Sequence, residues 1–203
     1  YLYTLATKKM DTLTRGIYNE SQAVFSPDGT RVAFVSNRSD NPDKNDNNDV
    51  FVMSAVVGAL PAQLTTWDGS DSHPAWSPDG KWILYAQSSS DDVFTMYGQA
   101  QAALVSSTGG APKLLSGTVD RPLRNLKWSK YGKQVVALME DDRQVQVVQF
   151  DIVTGNMTRV ITGEQSFYDL EPNKAKNAWA TVMSTPTVPG EVYAIEGAKL
   201  RRL

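Results

Sequence analysis

A chain of 203 residues with one histidine and no cysteine has few ways to do chemistry by itself. Acyl transfer by an activated serine needs a histidine beside it. In the common α/β form it also needs Gly-x-Ser-x-Gly at a strand-to-helix turn. That pattern is absent, and Gly69-Ser70-Asp71 lacks the spacing. His73 precedes Pro74 at the start of a strand-like run and reads as a structural histidine. Without cysteine there are no disulfides and no thiolate metal sites. No cofactor is expected, and no residue of this chain is expected to be catalytic.

One segment could offer oxygen donors to a hard cation. In the loop from Asp40 to Asp49, the residues Asp43, Asn45, Asn47 and Asp49 alternate as oxygen-bearing side chains, a weak calcium pattern. The glycine and distal glutamate of an EF-hand are missing, and a solvated loop has the same composition.

Composition narrows the classes. A net charge of -2 gives no basic footprint for nucleic acid. A hydrophobic share of 41% excludes a disordered tail. No stretch approaches the roughly 18 apolar residues of a membrane span. Tyr1 to Lys9 lacks the basic start and apolar run of a signal peptide. It alternates like a strand, so the chain is expected to begin inside a folded unit.

The elements that would position any site repeat along the chain. Ala23-Val24-Phe25-Ser26-Pro27-Asp28-Gly29, Pro74-Ala75-Trp76-Ser77-Pro78-Asp79-Gly80 and Leu126-Lys127-Trp128-Ser129-Lys130-Tyr131-Gly132 align. Their aromatic anchors stand 51 and 52 residues apart. In the turn, Pro presets φ, Asp bonds the nearby backbone and Gly accepts positive φ. Apolar runs follow at Val32–Val35, Trp82–Ala86 and Val135–Met139, suited to strands covered on both sides. A third strand is expected at 50–53, 103–105 and 145–150, and a fourth at 62–65, 113–116 and 158–162.

Four short strands per period of about 50 residues indicate an all-β chain of propeller blades rather than a sandwich. The expected units are 1–16 (partial), 17–66, 67–117, 118–163 and 164–203, an incomplete propeller of about four to five blades. The partial unit should hold strands at 1–5 and 12–14. The last unit should have lost the motif in its first turn, near Pro172 to Ala175.

Alternating strand direction sorts the loops onto two faces. The first-to-second and third-to-fourth connections carry Arg31, Lys81, Lys113, Lys130 and Lys133. The other connections carry Asp40, Asp91, Asp92, Glu140, Asp141 and Asp142. A basic face and an acidic face are expected.

The Trp/Phe-Ser-Pro-Asp-Gly turn followed by Val-Ala-Phe or Ile-Leu-Tyr resembles the blade repeat of two groups. These are the TolB-type propellers and the amino-terminal propeller of prolyl oligopeptidase-family serine peptidases, including dipeptidyl and acylaminoacyl peptidases. Three segments favour the peptidases. They are Phe34-Val35-Ser36-Asn37-Arg38-Ser39-Asp40, Ala62-Gln63-Leu64-Thr65-Thr66-Trp67, and the closing Ser184-Thr185-Pro186-Thr187-Val188-Pro189-Gly190-Glu191-Val192-Tyr193.

The resemblance implies a non-catalytic domain that gates access to an α/β-hydrolase domain lying elsewhere in the parent protein, with peptides as substrates. Beyond the family, the acidic face is expected to turn towards the substrate and Asp91, Asp92, Glu140, Asp141 and Asp142 to steer its cationic amino end, as propeller glutamates hold that amine in dipeptidyl peptidases. The resemblance leans towards a periplasmic or secreted parent. A free-standing TolB-like scaffold that binds a protein or peptide is the alternative. A metal centre like that of oligogalacturonide-type propeller lyases is ruled out by the lone His73. Unpaired blade edges would favour edge-to-edge self-association.

Overall fold

The computed structural model describes residues 1–90, 98–173, 175 and 177–203. Among them there is no α-helix, only strands, turns and one 3-10 turn at Pro42–Lys44. The strands fall into separate antiparallel sheets, each wound in sequence order as a propeller blade requires.

A hairpin of β1 (Leu2–Thr4) and β2 (Lys9–Asp11) comes first. The first full blade is β3 (Glu20–Phe25), β4 (Arg31–Ser36), β5 (Asp49–Ser54) and β6 (Ala62–Gln63). The second is β7 (Gly69–Trp76), β8 (Trp82–Ser90), β9 (Gln101–Ser106) and β10 (Lys113–Leu114). The third is β11 (Leu123–Trp128), β12 (Gln134–Asp141), β13 (Gln144–Asp151) and β14 (Met157–Arg159).

In the last blade, β15 (Ser166–Phe167) and β16 (Glu171–Pro172) both pair with β17 (Trp179–Thr185), as two pieces of one interrupted strand. β18 (Val188–Glu196) and β19 (Lys199–Arg202) complete it.

One expectation is corrected. The second strand of the partial unit is Lys9–Asp11, not 12–14, because Lys8 turns at φ 54° and sets Thr4 opposite Lys9. Leu13 packs against the buried Phe34, Phe51 and Met53 instead. The first turn of the last blade keeps its closure without the motif. Asn173 N–H donates to the Ala178 oxygen at 2.9 Å, as Ser26 N–H does to the Arg31 oxygen. The Asn173 side chain accepts from Asn177 N–H at 3.1 Å.

The motif turns show why they recur. Ser26 Oγ donates to Asp28 Oδ1 at 2.6 Å and accepts from Arg31 N–H at 2.9 Å. Ser77 repeats both bonds with Asp79 and Trp82. Gly29, Gly80 and Gly132 sit at φ 71°, 69° and 67°, a region that a side chain would strain.

The core lies in the seams between blades. Period-two alternation sends Ile83 and Tyr85 towards the first full blade and Leu84 towards the third. Two of these seams, between the first and second and between the second and third full blades, also carry a directed polar bond. Trp76 Nε1 donates to the Val24 oxygen at 3.1 Å, and Trp128 Nε1 to the Ala75 oxygen at 2.9 Å.

Two of the cations expected on a basic face are engaged with the protein's own backbone. Arg31 donates to the carbonyl oxygens of Gly80 and Ser107 and stacks over Trp76 at 4.6 Å. Lys113 Nζ donates to the Ile152 and Val153 oxygens at 2.6 and 2.7 Å.

Candidate functional site

The first strands of the four later blades share a wall. Gln22, His73, Asn125 and Asp169 all line one cavity of about 780 Å³. Strand register explains the grouping. Phe25, Trp76, Trp128 and Pro172 hold equivalent positions opposite Val32, Ile83, Val135 and Trp179. Each wall residue lies three positions before one of them.

Three of the four are left-handed, with Gln22 at φ 54°, His73 at 55° and Asn125 at 55°. Each sits where the strand slips register against its neighbour, so the backbone bulges there. Three non-glycine residues held in that region, at one position of successive blades, form a repeated feature of the cavity wall. Gln22 Oε1 accepts from His73 N–H at 2.5 Å, joining two blades across the wall. His73 is exposed, with Nδ1 3.1 Å from Ser72 Oγ, so it is part of this ring as well as a strand residue. The sequence signal was available as a polar residue at fixed offset from each anchor, but composition does not reveal a bulge.

The acidic tip expected to steer an amine is the hairpin between β12 and β13. Asp142 and Arg143 form its two-residue turn at φ 44° and 65°. Glu140 is exposed, and its N–H donates to the Pro122 oxygen at 3.2 Å. Asp141 is already engaged. It accepts from Arg121 Nε at 3.0 Å and pairs with Arg159. The Arg121 hydrogen bond first, and then Arg159, hold its carboxyl below the usual range.

Asp142 instead lines a cavity of about 540 Å³ with Glu164, Ser166 and Ser184. Asp91 and Asp92 lie outside the described residues.

The oxygen-rich loop divides its donors. Asp43 is exposed in the 3-10 turn. Asn45 Oδ1 accepts from Asn47 N–H and Asn37 Nδ2, and Asn45 Nδ2 donates to the Asn41 oxygen. Asn47 Oδ1 is buried without a partner. Asp49 is buried in the seam with the second blade, accepting from Gln63 Nε2 at 2.8 Å and Thr65 Oγ1 at 3.1 Å. Across the seam lies Asp71, fully buried.

Burial pushes the Asp49 carboxyl up to about 6, and the Asp71 carboxyl up to about 7 with the Asp49 charge adding to the effect. No cluster of three or more His, Cys, Asp or Glu suited to a metal occurs among the described residues.

The family model described as PD40, a TolB β-propeller domain, matches residues 1–194. No curated relative matches the sequence. Among solved structures, a TolB of Agrobacterium tumefaciens is 18% identical, with a TM-score of 0.62 over 92% of this chain and 61% of that one. A Mycobacterium tuberculosis puromycin-hydrolyzing peptidase is 14% identical, with a TM-score of 0.73 over 95% of this chain and 30% of that one. An oligogalacturonate lyase in complex with manganese is 12% identical, with a TM-score of 0.73 over 98% of this chain and 57% of that one. Acylaminoacyl peptidase and prolyl endopeptidase structures are also similar. At these identities the likeness is one of fold, and the chain spans less than two thirds of each of these proteins.

Proposed function

Because the chain belongs to the TolB-type β-propeller domain family, we propose that it works as a non-catalytic propeller of a prolyl oligopeptidase-type serine peptidase. In this reading it screens and positions peptides for an α/β-hydrolase domain of the same protein. The observation that carries the reading is the cavity shared by Gln22, His73, Asn125 and Asp169 of successive blades. A polar wall built from the same position of each blade suits an axial opening that admits extended polar chains. Resemblance to peptidase propellers supports the catalytic partner.

The acidic tip would act at long range on the cationic amino end of a peptide. Asp141 is neutralised by two arginines, so this task falls to Asp142, with Glu140 beside it. Asp91 and Asp92 are the acids of the preceding sequence repeat and share this proposed task on the sequence pattern alone.

The test uses the full-length protein. Asn125→Trp narrows the wall and should lower kcat/KM for peptides of about ten residues roughly tenfold more than for dipeptide substrates, a difference of about 1.4 kcal/mol in transition-state access. Equal effects on both would sink the gating role. A full-length protein with no peptide hydrolysis would favour a free-standing TolB-like scaffold, the reading supported by the family match itself.

A further inference from the structure

We propose that the seam between the first two full blades is a binding site for a hard divalent cation of the calcium class, held by Asp71 and Asp49 with neutral oxygens of Tyr85, Thr65 and Asn47.

The case begins with what is buried. Asp71 and Tyr85 are each 0% exposed, and both Asp71 Oδ2 and Tyr85 Oη lack a hydrogen-bond partner. Buried polar atoms without partners are rare and point to a missing group. Asn47 Oδ1 is a third such atom. It precedes Asp49 by two residues, on the segment whose Asn48 oxygen accepts from Asp71 N–H at 2.7 Å. Three of the five buried unpartnered side-chain atoms among the described residues therefore belong to one seam.

The charges agree. Thr65 Oγ1 has a single proton, given to Asp49 Oδ1 at 3.1 Å, so it cannot serve both acids at once. Gln87 reaches Asp71 only at 3.5 Å. Tyr85 projects into the same seam, packed with Val50 and Leu64 of the first full blade. Two carboxylates buried together either hold a proton or take a positive partner, and at neutral pH and above a partner is favoured.

The preceding blade shows what that partner looks like. Strand register makes Glu20 the counterpart of Asp71, since Glu20 stands opposite Ser36 and Asp71 opposite Gln87. Glu20 is paired with Arg38 Nη2 at 2.9 Å. Asp71 has no such pair among the described residues, and the segment 91–97 contains no Lys or Arg. In the third blade the same position is Leu123, which needs no counter-charge.

The donor chemistry selects the ion. Two carboxylates plus amide, hydroxyl and phenol oxygens, with no nitrogen or sulfur, suit a hard cation that accepts six to eight oxygens and tolerates irregular geometry. Only Asn47 and Asp49 of the loop pattern take part, and their main partner comes from another blade.

The experiment is thermal unfolding and equilibrium dialysis of the full-length protein at pH 8, with chelator or with about 5 mM calcium. Calcium should raise Tm by about 2–4 °C, with one ion bound per chain. Asp71→Asn, isosteric and freed of the buried charge, should fold at least as well in chelator and lose both the shift and the bound ion. An equal calcium response in Asp71→Asn, no response in the unaltered protein, or the same rise from sodium chloride at matched ionic strength would each overturn the proposal.

Discussion

Trp128 donates its indole N–H to the main-chain oxygen of Ala75 at 2.9 Å, tying the third full blade to the second. Trp76 makes the same bond to Val24 one blade earlier. Trp128→Phe keeps most of the ring in the seam but leaves the Ala75 oxygen without its donor. The expected cost is about 1–2 kcal/mol. Urea unfolding checks this, and a change within error would mean that water replaces the indole.

The glycines of the motif turns should not be equivalent. A Cβ on Gly29 would meet nothing within 4 Å, whereas one on Gly132 would meet Pro78 Cδ at 3.1 Å. Both positions have positive φ. Gly29→Ala should cost about 1–2 kcal/mol from the backbone alone. Gly132→Ala should cost more, because a proline ring of the neighbouring blade stands in the way. Equal losses in Tm would remove the steric part of this account.

Acid should loosen the first motif turn before the third. The Ser26 hydrogen bond first, then those from Thr30, hold the Asp28 carboxyl down at about 2. The folded value lies below the unfolded one, so this contribution is present above about pH 4 and is lost as pH falls towards 2. The third turn has Lys130 and Tyr131 where the first has Pro27 and Asp28, and lacks this dependence. Amide exchange at Thr30, followed from pH 5 to pH 2.5, should accelerate relative to Lys133 beyond the intrinsic rate change. Asp28→Asn should abolish the difference.

At the acidic tip, charge reversal should separate steering from structure. Asp142→Lys is expected to raise KM for free-amine peptides severalfold with little change in Tm, since its side chain is 91% exposed. The effect should shrink at high salt. Asp141→Lys should instead lower Tm, because it would face Arg121 and Arg159. A salt-independent KM change at Asp142 would argue against steering.

The repeat was legible because its turn chemistry is local. Ser26, Asp28 and Gly29 bond within six residues, so the pattern stands in the sequence itself. The cavity wall was legible only as a polar residue at one offset from each anchor. The left-handed φ that Gln22, His73 and Asn125 share is set by the bulge through cross-strand register, which the sequence does not display. Asp141 looked like a free acid because Arg121 and Arg159 approach it from 20 and 18 residues away in sequence. Asp71 gave no signal, since its burial arises from packing against a different blade.

Pro172 stands where the indole donors of the earlier blades stand, and it has no N–H to give. At that junction Lys127 Nζ meets Glu171 Oε1 at 2.7 Å, in a pair that remains partly exposed. The two earlier junctions are latched by dipoles sheltered from ions. This last one is latched by charges that ions can reach. The apolar seam of Val136, Leu138, Phe167, Leu170 and Ile195 still holds the terminal blade, but its polar latch is the one of the three that the surrounding electrolyte can loosen. Amide exchange along Trp179–Thr185 that quickens with added salt, while Gln134–Asp141 stays unchanged, is the expected signature.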